Sequence, residues 1–172
     1  MTDSGGEPGS SGDAEFAAFV QAQSTALHRT AYLLTGDRDA AQDAVQIALA
    51  SMYRVWAQRH AWENPAGYAH RVVTRAVLAS ARRRWRGERP TAELPERASP
   101  SADLASVDER DALRRALLAL PVKQRTAVVL RHYLDMSESE TALAMQCPAG
   151  SVKSLTSRGL QTLRAQLAEL TP

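Results

Sequence analysis

Small hydroxyl and basic side chains occur together near the C-terminal end of the sequence, with no acid between residues 151 and 166. They are Ser151, Lys153, Ser154, Thr156, Ser157 and Arg158. Such groups can donate hydrogen bonds to base edges and phosphates, whereas a carboxylate would repel phosphates. The pattern therefore favours binding to duplex DNA, although the exposed face of an ordinary helical hairpin would also be polar.

A second set combines arginines with aromatic and polar residues between positions 62 and 86. Its members are Trp62, Asn64, Tyr68, His70, Arg71, Arg75, Arg82, Arg83, Arg84 and Arg86. Arginines neutralise phosphates and aromatic rings can stack on unpaired bases, a combination suited to single-stranded or opening DNA. A structural explanation stays open for the rings, which could be core aromatics, and for the arginines, which complement the dipole at a helix end.

A third set, which we call the acidic set, consists of Asp39, Asp43 and the neutral amide Gln46. These residues follow a cap residue, Asp37. Its face could bind a basic partner, or it could be a solvated helix start whose acids complement the dipole. The net charge is only +2, yet residues 1–53 carry −5 and residues 54–89 carry +7. This uneven distribution indicates two different partners.

Other kinds of chemistry find no support in the sequence. No His or Cys falls at metal-ligand spacing with the acids, and neither a glycine-rich phosphate loop nor a nucleophile motif occurs. We therefore expect no enzyme, no metal and no cofactor. Cys147 is the single cysteine, which excludes a disulfide scaffold. With no secretory signal and no apolar run near the roughly 20 residues that span a bilayer, we expect a cytoplasmic protein without membrane insertion.

Helical periodicity defines the elements that must position these sets. Apolar residues recur every three or four positions over 16–34, 45–56 and 68–79, which predicts a unit of three or four helices. Gly36 ends the first of them, and Asn64 with the following proline opens the third. The acidic set lies on the second helix, and the arginines lie on the third.

The second half of the chain contains four further predicted helices. Apolar spacing predicts helices over 113–120 and 122–133, and a capping box over 137–140 opens a short helix that ends near Met145. A turn over 146–148 and a long final helix follow. The last two helices read as a helix-turn-helix, with the hydroxyl and basic set on the second of them.

We predict an all-α protein of two small helical domains joined by a flexible linker, since no alternating strand pattern of useful length occurs. The predicted boundaries are a disordered tail at 1–12, a first domain at 13–86, a linker at 87–106 and a second domain at 107–172. The tail is rich in glycine and serine and the linker in proline. Because the 20 linker residues reach about 65 Å when extended, the domains could contact DNA sites more than a helical turn apart.

Three segments resemble the extracytoplasmic-function (ECF) sigma factors, and the whole is similar to the SigE-like actinobacterial subgroup. Residues 37–46 followed by Met52–Trp56 resemble region 2.2, residues 64–71 and onward resemble regions 2.3 and 2.4, and residues 120–160 are similar to region 4. The resemblance covers nearly everything except the tail and the linker. It implies that the first domain is the region 2 helical bundle and the second the region 4 helix-turn-helix.

This resemblance implies a promoter-specificity subunit that binds core RNA polymerase at the β′ clamp helices and the β flap. Asp39, Asp43 and Gln46 would contact polymerase, the arginine and aromatic set would melt and read the −10 element, and the hydroxyl and basic set would read the −35 element. An anti-sigma factor is a further candidate partner. The alternatives are a stand-alone helix-turn-helix regulator that never enters polymerase and a small helical enzyme.

Four positions depart from the family pattern. Ile47 stands where an acid is usual, and Arg75 stands at the usual asparagine position of the −10-reading helix. Gln146 replaces a common turn glycine, and Cys147 replaces a common capping serine, which is expected to cost some capping energy. We expect Cys147 to be a small, half-buried turn residue.

Overall fold

The computed structural model describes residues 8–87 and 104–170. Within these ranges the chain forms seven α-helices, a 3₁₀ segment and a π-helical turn, and no strand, which confirms the all-α prediction. The elements are α1 (Pro8–Thr35), α2 (Arg38–Arg54), the 3₁₀ segment (Trp56–Ala61), α3 (Pro65–Trp85), α4 (Leu104–Ala119), α5 (Val122–Val128), the π-helical turn (Val129–Tyr133), α6 (Glu138–Met145) and α7 (Ala149–Leu170).

Helices α1 to α3 form the first unit, and local signals set their ends. Gly36 has φ +73° and donates its amide to the Tyr32 carbonyl at 2.8 Å, which ends α1 in a left-handed turn. The Asp37 carboxylate then accepts the Ala40 amide at 2.7 Å and caps α2. Asn64 caps α3 in the same way. Leucine, valine and methionine side chains from all three helices make a common core.

The second unit consists of α4 to α7, and the predicted capping box opens α6. Ser137 Oγ accepts the Glu140 amide at 3.2 Å, while the Ser137 amide donates to Glu140 Oε2 at 2.8 Å. Gln146 follows α6 with φ 53°, the left-handed conformation that usually favours glycine. Gly159 lets α7 approach α5, since a Cβ there would lie 2.7 Å from Val128 Cγ2. The two helices are therefore tightly packed.

The two units share a hydrophobic core. Leu34 of α1 and Val77 of α3 are buried in one cluster with side chains of the second unit, among them Leu117, Leu120 and Leu163. At Gly36 an added Cβ would lie 2.5 Å from a methyl group of the second unit. The sequence pattern defines the apolar stripe of each helix but does not indicate that the stripes of different units meet. We call this shared region the interdomain cluster.

The predicted tail and linker differ from the structure at their inner ends. Residues 8–12, predicted to be disordered, form the first turns of α1, because Pro8 fits a helix start where its missing amide costs nothing. Residues 104–106, predicted as linker, begin α4 and include good helix formers. The remainder of both predictions, at 1–7 and 88–103, lies outside the described residues.

Candidate nucleic-acid and polymerase interfaces

The acidic set lies on the solvent-exposed side of α2. Asp39, Asp43 and Gln46 are all exposed, and no described residue forms an ion pair with either aspartate. Ile47, the residue that replaces an acid, is 49% exposed beside them. The opposite side of α2 packs in the core. The helix therefore presents unpaired carboxylates together with one large apolar side chain, a surface that a basic protein partner with an apolar spot would fit.

The two aromatic residues of the −10 set lie face to face. The ring centroids of Trp62 and Tyr68 are 4.4 Å apart with an interplanar angle of 25°, and Trp56 meets the edge of Trp62 at 5.9 Å. Both Trp62 and Tyr68 are half-buried against the first unit's core. The sequence left two roles open for these rings, packing in the core and stacking on bases. The structure is compatible with both, because the rings pack on the core and keep part of their surface accessible.

Asn64 and His70 have structural environments that limit their contact with DNA. Asn64 Oδ1 accepts the Gly67 amide at 2.9 Å, so its acceptor is occupied by the cap, and a Cβ at Gly67 would lie 2.8 Å from Asn64 Nδ2. His70 is only 9% exposed, and burial lowers the pKa of its imidazole. In this conformation His70 does not present a ring to solvent. The role of His70 at the −10 element therefore stays a prediction.

The arginines of α3 fall into two groups. Arg71 places its guanidinium 5.4 Å from the Tyr68 ring centroid, and Arg75 donates from Nη2 to the Leu143 carbonyl of α6 at 2.9 Å. Four arginines at the end of the helix are exposed and have no described acidic partner. They are Arg82, Arg83, Arg84 and Arg86. The end of α3 is thus a strongly basic surface, whereas its middle faces the second unit.

The hydroxyl and basic set lies on the first turns of α7, after the short helix α6. Lys153, Ser154, Ser157 and Arg158 are exposed, Ser151 and Thr156 are half-buried, and Ser154 Oγ donates to the Ser151 carbonyl at 3.0 Å. Across the turn, Cys147 is half-buried and packs on the second unit's core, as expected. The arrangement is a helix-turn-helix whose second helix presents donors on one side.

Sequence reasoning missed one buried arginine. Arg125 is buried and donates from Nη1 to the Leu118 carbonyl at the end of α4 at 3.1 Å, and desolvation lowers its pKa. The motifs in the sequence predict no role for this residue. The available signal was its position, three residues after Val122 and four before Val129 on the apolar stripe of α5. Arg125 therefore completes the end of a neighbouring helix.

Two further observations concern metal binding and membrane insertion. Among the described residues, no group of three or more His, Cys, Asp or Glu side chains is placed to hold a metal ion. None of the described helices is both long enough and apolar enough to cross a bilayer.

Comparison with known proteins decides the family. Models of Sigma-70 region 2 and Sigma-70, region 4 match residues 19–87 and 110–163. The RNA polymerase sigma-E factor of Streptomyces coelicolor is 39% identical over 154 residues, which span 89% of this chain and 86% of that protein. The ECF RNA polymerase sigma factor SigM of Mycobacterium tuberculosis is 37% identical over 145 residues, 84% of this chain and 70% of that one. This chain belongs to the ECF family of sigma factors.

A solved structure shares the fold of this ECF sigma factor. The sigma factor RpoE, in its co-crystal structure with the anti-sigma factor NepR from Bartonella quintana, aligns with a TM-score of 0.68 and 22% identity. The alignment covers 90% of this chain and 97% of that chain, so it extends over both units. The predicted SigE-like resemblance and the two-domain helical fold are confirmed, while the roles of individual residues stay predictions.

Proposed function

We propose that this sigma factor directs promoter-specific transcription initiation by binding core polymerase through α2 and promoter DNA through α3 and α7. The observation that carries the proposal is the separation of charge on the region 2 unit: exposed acids on α2 and four exposed arginines at the end of α3. The same unit therefore offers two surfaces, one for a basic protein and one for phosphates. Neither role requires a chemical step by this chain. Because core polymerase and promoter DNA are cytoplasmic in bacteria, we expect the protein to act in the cytoplasm.

For polymerase, Asp43 and Gln46 are the central contacts and Asp39 is an outer one. All three are exposed, and among residues 8–87 and 104–170 none has an ion-pair or side-chain hydrogen-bond partner that would have to be displaced. Ile47 adds an apolar contact beside these residues, at a position where the family usually has a further acid. Loss of that acid lowers the electrostatic attraction, while burial of a half-exposed isoleucine offsets part of the loss.

For the −10 element, the exposed arginines hold the phosphates and the Trp62–Tyr68 pair supplies an aromatic surface for an unpaired base. Asn64 acts mainly by fixing the start of α3, and His70 acts by packing. Arg75 is the exception, because its guanidinium is engaged by the second unit. It becomes available for DNA only when the units separate.

For the −35 element, α7 enters the major groove of duplex DNA. Lys153 and Arg158 are placed to contact phosphates or guanine edges, and the serine hydroxyls can donate to bases. The half-buried Thr156 lies at the edge of this surface. Sequence-dependent contacts are therefore expected from the exposed members of the set.

The closed packing of the two units must open for promoter binding. The −10-reading helix α3 contacts α6 of the helix-turn-helix, so one body holds both DNA-reading elements in mutual contact. Promoter elements more than a helical turn apart require the units to separate. A partner that prefers the closed form would lower promoter binding by mass action, and an anti-sigma factor is a partner of this kind.

A charge reversal on α2 tests the proposal against a stand-alone regulator. Asp43→Arg should abolish binding to purified core polymerase while the protein still folds and still binds −35 duplex DNA. Asp111→Arg, at an exposed aspartate of α4 whose carboxylate lies 3.7 Å from Arg114 Nε, is the charge-reversal control and should bind polymerase normally. Normal polymerase binding and transcription by the Asp43→Arg protein would refute the assigned surface and favour the regulator.

A further inference from the structure

The first turns of α1 are tied to the segment that leads into α3. Asp13 Oδ1 accepts a hydrogen bond from Tyr53 Oη at 2.8 Å. Glu15 Oε2 accepts one from Arg59 Nε at 2.7 Å and a second from Nη2 of the same guanidinium. The partners are 40 and 44 residues apart in the sequence, so these are tertiary contacts. Asp13 thus ties α1 to the end of α2, and Glu15 ties α1 to the 3₁₀ segment.

Arg59 is held from a second side by an aromatic ring. Its guanidinium lies 5.5 Å from the Trp56 ring centroid, and Nη1 donates to the Trp56 carbonyl at 3.3 Å. The side chain is therefore mostly covered despite its surface position, and a planar guanidinium can stack and pair at once. The Glu15 carboxylate decides which way this guanidinium points.

Ring contacts continue from this site to the Trp62–Tyr68 pair. The Phe16 ring meets Trp56 at 5.0 Å, Trp56 meets Trp62 at 5.9 Å, and Trp62 stacks on Tyr68 at 4.4 Å. Each contact is within the range in which aromatic pairs prefer a defined geometry. The orientation of the last pair thus depends on packing that begins at the first turns of α1.

We propose that the Glu15–Arg59 ion pair is a positioning contact that orients the Trp62–Tyr68 pair for promoter opening. The inference rests on the proposed role of that pair at the −10 element. The Arg59 side chain is 15% exposed but the Glu15 side chain is 48% exposed, so solvent screens the pair and its contribution to folding stability is small. Its removal should therefore change the geometry of the aromatic pair far more than the stability of the unit.

The test measures promoter opening by saturating holoenzyme carrying Glu15→Ala. Alanine is a good helix former, so α1 should remain folded. Removing an acid also strengthens the attraction of the unit for DNA, so any loss of opening cannot come from simple electrostatics. We expect the opening rate to fall roughly two- to five-fold. This range is the fold-change that corresponds to the energy of a solvent-screened ion pair. Affinity for core polymerase and the unfolding midpoint should not change.

Two companion variants give the readouts that a purely structural role would not. Glu15→Gln keeps one acceptor oxygen and should open the promoter at an intermediate rate. Glu63→Ala removes an exposed acid from the same unit that has no described contact, and it should open at the wild-type rate or faster. Tryptophan emission of the free protein should shift in the Glu15→Ala variant and stay unchanged in the Glu63→Ala variant.

The outcomes separate this inference from the proposed function. Wild-type rates for Glu15→Ala, or an equal loss for Glu63→Ala, would overturn the positioning role while leaving the sigma activity intact. If the wild-type protein bound core polymerase but the resulting holoenzyme opened no cognate promoter, the proposed function would fail and the inference with it.

Discussion

Val77 provides the most direct test of how the two units communicate. It lies on α3, is 4% exposed and belongs to the interdomain cluster. Val73 lies one turn earlier on the same helix, is fully buried and belongs to the first unit's own core. The same substitution to alanine at these two positions should therefore have different consequences. Val77→Ala should favour the open form, whereas Val73→Ala should only destabilise the first unit.

The magnitude follows from the groups removed. Two buried methyl groups are worth about 1–2 kcal/mol in a packed core, and part of this is lost from contacts with the second unit. A change of that size corresponds to about a 5- to 30-fold shift in the equilibrium between closed and open forms. The figure is an upper one because Val77 also touches the first unit in the open form.

Two measurements report the shift. X-ray scattering of a compact protein of 172 residues gives a radius of gyration of about 16 Å, and an open population raises this value. Affinity for a single-stranded −10 oligonucleotide should rise several-fold as the middle of α3 is uncovered, and Val73→Ala should not raise it.

Equal behaviour of the two variants would refute this reasoning. If Val77→Ala lowered the unfolding midpoint as Val73→Ala does, with no change in size or in oligonucleotide affinity, the interdomain cluster would not hold a closed form in solution.

Three further predictions concern stability and each is checked by unfolding the full chain. Gln146→Gly should raise stability by about 1 kcal/mol, because φ 53° is costly for any side chain but not for glycine. Gly159→Ala should lower it by about 1–3 kcal/mol, since the new Cβ would overlap Val128 Cγ2 at 2.7 Å. The lowered pKa of His70 means that the unfolded chain binds a proton first, so stability should fall as pH drops below about 6.5. His70→Leu should weaken this pH dependence, and an unchanged acid profile would contradict the buried neutral imidazole.

Local signals in the sequence were sufficient for the helices and their ends. The turn at Gly36, the cap at Asn64 and the capping box at Ser137 each depend on residues within four positions of one another, and all three occur as predicted. The exposed acids of α2 and the basic end of α3 also follow from helical spacing alone. These features require no knowledge of what packs against the helix.

Other features depended on partners far away in the chain. His70 and Arg125 are polar residues on apolar stripes, and their burial follows from the helices that cover them. Residue type alone places His70 in the DNA-reading set and does not distinguish a buried arginine such as Arg125 from an exposed one. The ion pair between Glu15 and Arg59 could not be predicted either, because 44 residues separate the two.

The sequence by itself determined two helical units with an acidic helix, a helix with a basic end and a helix-turn-helix. Only the tertiary structure decided that these units meet, with Val77 buried between them and Arg75 bonded to the Leu143 carbonyl. The physical reason is that the spacing of apolar residues along a helix defines its apolar stripe. Which helix packs against that stripe depends instead on the shape complementarity and the buried area of several helices together.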